Sequence, residues 1–227
     1  MTEKTENLVI NLRSIKKRYD DEAGVLNALR GIDLTVKKGD FLAIMGPSGS
    51  GKSTLMNIIG LLDRPSRGNY FLDGIDTSKL GDNQLSKLRR DKIGFIFQTF
   101  NLLPRLNILQ NVELPMVYRG ISLKKRKLKA TKILKSLGLE DKIKSRTNRL
   151  SGGQIQRAAI ARSLVNDPSL ILADEPSGNL DSKTSDEVMK ILVRLNKTGT
   201  TIVMVTHSSE IAAYASRSVR VKDGKIS

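Results

Sequence analysis

The stretch FLAIMGPSGSGKST, Phe41–Thr54, restricts this chain more than any other part of it. Five consecutive apolar residues, Phe41–Met45, have the length of a buried strand, and such runs belong to parallel sheets covered by helices. The glycine-rich segment behind them can turn the backbone sharply, because glycine accepts conformations that a Cβ forbids. STLMNIIGLL then reads as a buried helix. Strand, loop and helix together give meaning to the spacing Gly46-x-x-x-x-Gly51-Lys52-Ser53, which is the P-loop pattern. In that pattern successive backbone N–H groups face inward around phosphate oxygens, and the helix adds its positive end. Lys52 supplies a point charge to the β/γ-phosphates and Ser53 a hydroxyl to Mg²⁺. The nucleotide cradle is therefore expected at Gly46, Pro47, Ser48, Gly49, Ser50, Gly51, Lys52, Ser53 and Thr54. A loop that merely turned the chain would not need Lys-Ser at this spacing.

The rest of the chain extends the same architecture. LVINLRSI, Leu8–Ile15, and LRGIDLTV, Leu29–Val36, read as short strands with an acidic loop, DDEAG, between them. NYFLDG reads as strand and turn. IGFIF (Ile93–Phe97), SLILAD (Ser169–Asp174) and TTIVMV (Thr200–Val205) read as buried strands. A helix from Ser182 to Asn196 places Val188, Ile191, Leu192 and Leu195 on one face. From Gln98 to about Ala161 the character is helical, punctuated by Pro104, Pro115 and Gly120. The expectation is an α/β domain over residues 1–227. Its parallel core, of P-loop NTPase (RecA-like) type, covers about 1–97 and 162–227, with an N-terminal antiparallel β edge. An α-helical subdomain is inserted at about 98–161.

A hydrophobic content of 39% with 27% charged residues is ordinary for a soluble globular protein of 227 residues. No apolar run approaches the roughly 18 residues of a membrane helix. The N-terminal MTEKTE lacks a signal-peptide core. A cytoplasmic protein is expected, any membrane contact being peripheral or through a partner. The absence of cysteine excludes disulfides and thiolate metal sites, and the single histidine excludes a multi-histidine centre. Net charge is +16 and uneven: twelve Lys/Arg fall between Arg119 and Arg149, against Glu140 and Asp141 alone. Within KKRKLKATKILK, Lys124–Lys135, and its flanks, Leu123, Leu128, Ile133, Leu134 and Leu137 form an apolar stripe at helical spacing, which predicts a packed amphipathic helix. Its lysines suit a solvated face or one that meets anionic lipid. Nucleic acid is the poorer partner, since no aromatic platform is interleaved with the charges.

Two further stretches carry chemistry. LILADEP ends an apolar strand on two carboxylates: Asp174 is placed to reach the P-loop metal through water, and Glu175 to reach a nucleophilic water. NRLSGGQIQR is a second anion-binding helix start, without a lysine. Ser151 also reads as an ordinary helix cap there.

The P-loop, Gln98, LSGGQ, ILADEP, GNLD and His207, in this order and spacing, resemble the nucleotide-binding subunit of ABC transporters. RRDKIGFIFQTFNLLP, NVELP and PSGNLDS are similar to signatures of the macrolide-exporter and lipoprotein-releasing group. The resemblance covers nearly the whole chain, from about Leu8. It implies an ATPase whose two copies associate head to tail, each ATP lying between the P-loop of one and the LSGGQ of the other. Ser151 and the N–H groups of Gly152 and Gly153, with Gln154 completing the motif, would then cap the γ-phosphate held by the partner. That second site needs no lysine, because Lys52 across the interface supplies one. The resemblance also places Gln98 at the Mg²⁺ or water, His207 against the γ-phosphate, Tyr19 on adenine and Asp181 at the partner's P-loop region. Ser208 and Ile155 depart from common family residues without touching phosphate-binding atoms. ATP and Mg²⁺ are the implied cofactors. A separate transmembrane permease is the implied partner, which puts the subunit on the inner face of the cell membrane. A soluble ABC ATPase acting on nucleic acid or ribosomes is the alternative. It fits less well, because this chain has neither a long coiled coil between P-loop and signature nor a second nucleotide domain.

Overall fold

The computed structural model describes residues 7–21 and 24–227; the segment MTEKTE and residues 22 and 23 of DDEAG lie outside them. The chain runs β1 (Leu8–Asp21), β2 (Gly24–Lys37), β3 (Phe41–Met45), α1 (Lys52–Ile59), β4 (Arg67–Leu72), β5 (Ile75–Asp76), α2 (Asp82–Lys92) and β6 (Ile93–Ile96). It continues through α3 (Ile108–Tyr118), α4 (Leu123–Ser136), α5 (Gly152–Leu164), β7 (Leu170–Asp174), α6 (Ser182–Lys197), β8 (Thr201–Val205), α7 (Ser209–Ala212), β9 (Arg217–Lys222) and β10 (Lys225–Ile226).

Two sheets result. The larger has the order β10-β9-β3-β8-β7-β6, parallel apart from the β9–β10 hairpin. Its strands β3, β7 and β8 are buried nearly throughout, as their unbroken apolar runs require. Each fully buried Leu or Ile there contributes about 1.5–3 kcal/mol relative to exposure. The smaller sheet, β2-β1-β4-β5, is antiparallel. One core cluster joins it to one face of the parallel sheet through α1; the other face packs on α3, α5 and α6.

Three local readings need correction. β1 and β2 are longer than expected, and their ladder continues to Asp21 opposite Gly24. Asp20, Asp21 and Gly24 of the expected acidic loop therefore belong to the ladder, whose backbone hydrogen bonds do not depend on burial of the side chains. Pro115 does not punctuate anything: it lies inside α3, on a face that borders a cleft. Leu123 and Leu128 are not part of the buried stripe of α4, being 60% and 73% exposed. Ala130, Leu134 and Leu137 make that contact, and Leu128 stands two residues before Ala130, about 200° away around the helix. Helix α2 has no counterpart in the sequence reading; only its Leu85 is buried, so it has almost no apolar periodicity to read.

Candidate functional site

The P-loop leaves the carboxyl end of β3 and closes on α1. Its glycines are there for steric reasons. A Cβ on Gly46, at φ 150°, would lie 2.1 Å from the Val221 carbonyl oxygen; one on Gly51, at φ 105°, would lie 2.6 Å from that of Ala28. Gly51 caps α1 without a side-chain hydrogen bond. The first-turn amides are therefore not claimed by a capping side chain, which is what an anion site needs. Lys52 Nζ donates to the carbonyl oxygens of Gly46 (2.8 Å) and Pro47 (2.7 Å), so the ammonium lies across the mouth of its own loop. Ser50 Oγ is buried there without a hydrogen-bond partner. A cleft of about 500 Å³ opens over Ser48, Gly49, Lys52, Ser53 and Thr54, and its far wall includes Leu26 of β2.

Both carboxylates come from the end of β7, separated from β3 by β8 in the same sheet. Asp174 ends β7 opposite Val205 of β8. Burial, then the neighbouring charge of Glu175, push its carboxyl above the usual range, with Lys52 acting in the opposite sense. Glu175 turns away with φ 44°, an uncommon conformation for a residue with a side chain. Its own N–H donates to Val205 O (2.9 Å). Its carboxylate is held by the residues that follow β8. Thr206 Oγ1 donates to Oε2 (3.0 Å) and the His207 N–H to Oε1 (2.8 Å), while His207 Nδ1 lies 2.7 Å from Oε1. Glu175 is mostly buried, whereas His207 is 75% exposed and free to face a ligand.

Gln98, just past β6, pairs with Asn179 instead of pointing freely into the cleft. Ser53 Oγ, the Asp174 carboxylate and the Gln98 amide oxygen are all hard oxygen donors. Among the described residues no cluster of His, Cys, Asp and Glu could hold a metal by itself. This donor set fits Mg²⁺ held jointly with phosphates, not a cage made of protein alone.

Tyr19 sits beside the cleft without lining it. Its hydroxyl donates to Asp63 Oδ2 (2.7 Å), and Lys17 Nζ lies 4.7 Å from the ring centroid. Partial burial and the Asp63 bond push the phenol up, with Thr54 of the P-loop acting in the opposite sense. Its cross-strand neighbour is Leu26, 62% exposed. The sequence reading passes over Leu26, although two consecutive exposed apolar residues, Val25 and Leu26, break the alternation of a half-buried strand.

The signature motif is elsewhere in the chain's bonding. Ser151 caps α5, with Oγ accepting from Gln154 N (3.4 Å), and Gln154 Oε1 accepts from Ser151 N (3.1 Å). Gly152 and Gly153 have causes within the chain: a Cβ would lie 3.0 Å from Leu180 Cδ2 and 2.4 Å from Thr184 Cγ2, respectively. Asp181 caps α6 through Thr184 N (2.9 Å) and Oγ1 (2.7 Å). Buried Gln156 donates to the Pro176 carbonyl, tying α5 to the turn behind Glu175. Among the described residues no hydrogen bond joins Ser151–Gln154 to the P-loop. A cleft of about 720 Å³ lies away from the P-loop, between β6 and α3, where Phe95, Phe97, Leu114, Pro115 and Tyr118 line it.

Comparison with known proteins is consistent with this geometry. The family described as ABC transporter matches residues 29–178. An uncharacterized ABC transporter ATP-binding protein, YknY of Bacillus subtilis, is 52% identical over 96% of this chain and 95% of its own length. The macrolide export ATP-binding/permease protein MacB 1/2 of Paracoccus denitrificans is 51% identical over 96% of this chain, which spans 33% of that protein. Among solved structures, a dimeric ATP-binding cassette of Methanocaldococcus jannaschii, in a post-hydrolysis state with ADP and Pi bound, superposes with a TM-score of 0.87. It is 46% identical, with 96% of each chain covered.

Proposed function

This chain belongs to the ABC transporter family as an ATP-hydrolysing subunit, and on that premise we propose that two copies close head to tail over two ATP molecules. The observation that carries this reading is the split between two anion sites. One has the cradle, Lys52 and the carboxylates; the other starts at Ser151, exposed at a capped helix start with Gly152 half-buried and Gly153 buried behind it, and among the described residues has no hydrogen bond to the first. Neither surrounds a triphosphate alone. Facing one another, they do, and the γ-phosphate becomes the contact that ADP cannot make. Ser53, Asp174 and Gln98 would hold Mg²⁺, which withdraws charge from the phosphates. Glu175, with its carboxylate already oriented by Thr206 and His207, accepts the proton of the attacking water. His207 reaches the γ-phosphate, Tyr19 and Leu26 flank the base, and Asp181 meets the partner's P-loop region.

Hydrolysis by the isolated protein is expected to require Mg²⁺ and to rise more than linearly with protein concentration, because each site needs two chains. Steady-state rates over a dilution series check this. Strict proportionality across the range where the protein is monomeric would remove the composite site.

A separate permease is the proposed partner, docking an apolar segment in the cleft lined by Phe95, Phe97 and Tyr118, where Tyr118 is 70% exposed. No helix among the described residues is long and apolar enough to cross a membrane. A peripheral position at the inner membrane face is supported by α4, which exposes Lys124, Lys125, Lys127 and Lys132 with no ion-pair partner among the described residues. Each such lysine gains about 1 kcal/mol close to an anionic leaflet. Co-sedimentation with phosphatidylglycerol vesicles is expected at low salt, and reversal of Lys124, Lys125 and Lys132 to glutamate should weaken it severalfold. Equal binding to neutral phosphatidylcholine vesicles would count against this placement.

A further inference from the structure

Gln98 and Asn179 stand 81 positions apart and form a reciprocal pair. Asn179 Nδ2 donates to the main-chain oxygen of Gln98 (3.0 Å), and Gln98 Nε2 donates to Asn179 Oδ1 (3.3 Å). A primary amide has an accepting end and a donating end of nearly equal size, so half a turn exchanges them at little steric cost. Here the exchange is blocked by hydrogen-bond logic. The main-chain carbonyl can only accept, so Asn179 must turn its NH₂ towards it. Asn179 Oδ1 then faces the glutamine side chain, whose only donor is Nε2; turning Oε1 there instead would set two acceptors against each other. Oε1 of Gln98 is the end left over.

Gly178 completes the seat. A Cβ on it would lie 2.8 Å from Nε2, 3.2 Å from Cδ and 3.3 Å from Cγ of Gln98, so the glutamine side chain lies against bare backbone. Neither Gly178 nor Asn179 is buried, and core packing explains neither.

A hard cation takes an oxygen and never an NH₂ group. We therefore propose that Asn179 is a positioning residue: it fixes the Gln98 amide so that the oxygen is the end presented to nucleotide-bound Mg²⁺. This rests on the reading of Gln98 as a ligand. It gives the GNLD segment a task within its own chain, separate from the contact proposed for Asp181 across the dimer. It also links the start of the helical insert to the turn that follows Glu175.

The test measures binding, not turnover. In a Glu175→Gln background, ATP affinity is measured by calorimetry with Mg²⁺ and again with EDTA, and the ratio is the gain due to the cation. Asn179→Ala is expected to lower that gain by about tenfold, the usual scale for a residue that orients a metal ligand. The affinity in EDTA should not change. Gly178→Ala, which displaces the same amide from the other side while keeping Asn179, is expected to act in the same direction. In a Gln98→Ala background, Asn179→Ala should add nothing. If Gln98→Ala lowers the gain and Asn179→Ala does not, the positioning role is wrong and the ligand reading survives. If Gln98→Ala itself leaves the gain unchanged, the ligand reading falls. An equal loss in EDTA and Mg²⁺ for both Asn179→Ala and Gly178→Ala would mark a general structural role and overturn the proposal.

Discussion

Replacing Glu175 by glutamine is expected to cut ATP hydrolysis by about two to four orders of magnitude, the scale of losing a general base. The substitution keeps shape and removes the charge that accepts a proton. The local frame should survive. The introduced amide would still offer an oxygen to the His207 N–H, and its NH₂ would face Thr206 Oγ1, a hydroxyl that can accept as well as donate. Binding should survive too, because Lys52, Ser53 and the loop amides are untouched. An enzyme that holds the γ-phosphate and cannot cleave it should accumulate as a dimer in ATP and remain a monomer in ADP. Salt matters, because two chains of charge +16 repel at long range and screening lowers that cost. Size-exclusion chromatography across a salt series reads this directly. A monomer in ATP at every salt concentration, or turnover at the wild-type rate, would overturn both the role of Glu175 and the sandwich.

Tyr19→Ala is expected to weaken ATP binding by roughly five- to a hundredfold, since one aromatic–base stack is worth about 1–3 kcal/mol. The ring is already anchored by its bond to Asp63, and Lys17 covers part of it while pairing with Asp63 at 2.6 Å. Burial alone would raise the Asp63 carboxyl, but its bonds from Lys17 and Tyr19 hold it below the usual range. The three residues therefore form a charged anchor that keeps the ring beside Thr54. Tyr19→Phe separates stacking from anchoring, because it retains the ring and loses only the hydroxyl. Affinity close to wild type in the Phe variant, with the loss confined to Ala, identifies the ring as the binding element. Unchanged affinity in the Ala variant would make Tyr19 an ordinary strand residue. Melting curves of both variants show whether the hairpin is intact.

Much of the architecture is legible in the sequence, for definite reasons. Strands β3, β7 and β8 are short apolar runs bounded by polar residues, and burial on both faces leaves them no other pattern. Helix α6 announces itself by Val188, Ile191 and Leu192 on one face. Where burial is slight, the sequence is mute or misleading. Helix α2 buries one leucine; Leu123 lies at the angle of the buried stripe of α4 yet faces water, and Leu128 lies off that stripe. Helical spacing specifies an angle around an axis, not the direction from which neighbours arrive.

The P-loop was determined by the sequence itself, because it needs only contiguous residues: strand, glycines, lysine and helix start occur in one run of the chain. The rest of the site depends on residues far apart, and only the sheet order β3-β8-β7-β6 makes them neighbours. That order sets the carboxyl ends of four parallel strands side by side, so the P-loop, His207, Asp174–Glu175 and Gln98 meet at one edge. Tertiary packing also decided what the motif could not. Gly153 is required in part because Thr184 of α6 occupies the place of its side chain, and Glu175 is aimed by Thr206, a residue no motif singled out. A sequence pattern records which residues are present at which spacing. The direction of a carboxylate is set by the donors that surround it, and those donors are assembled only when the strands pair.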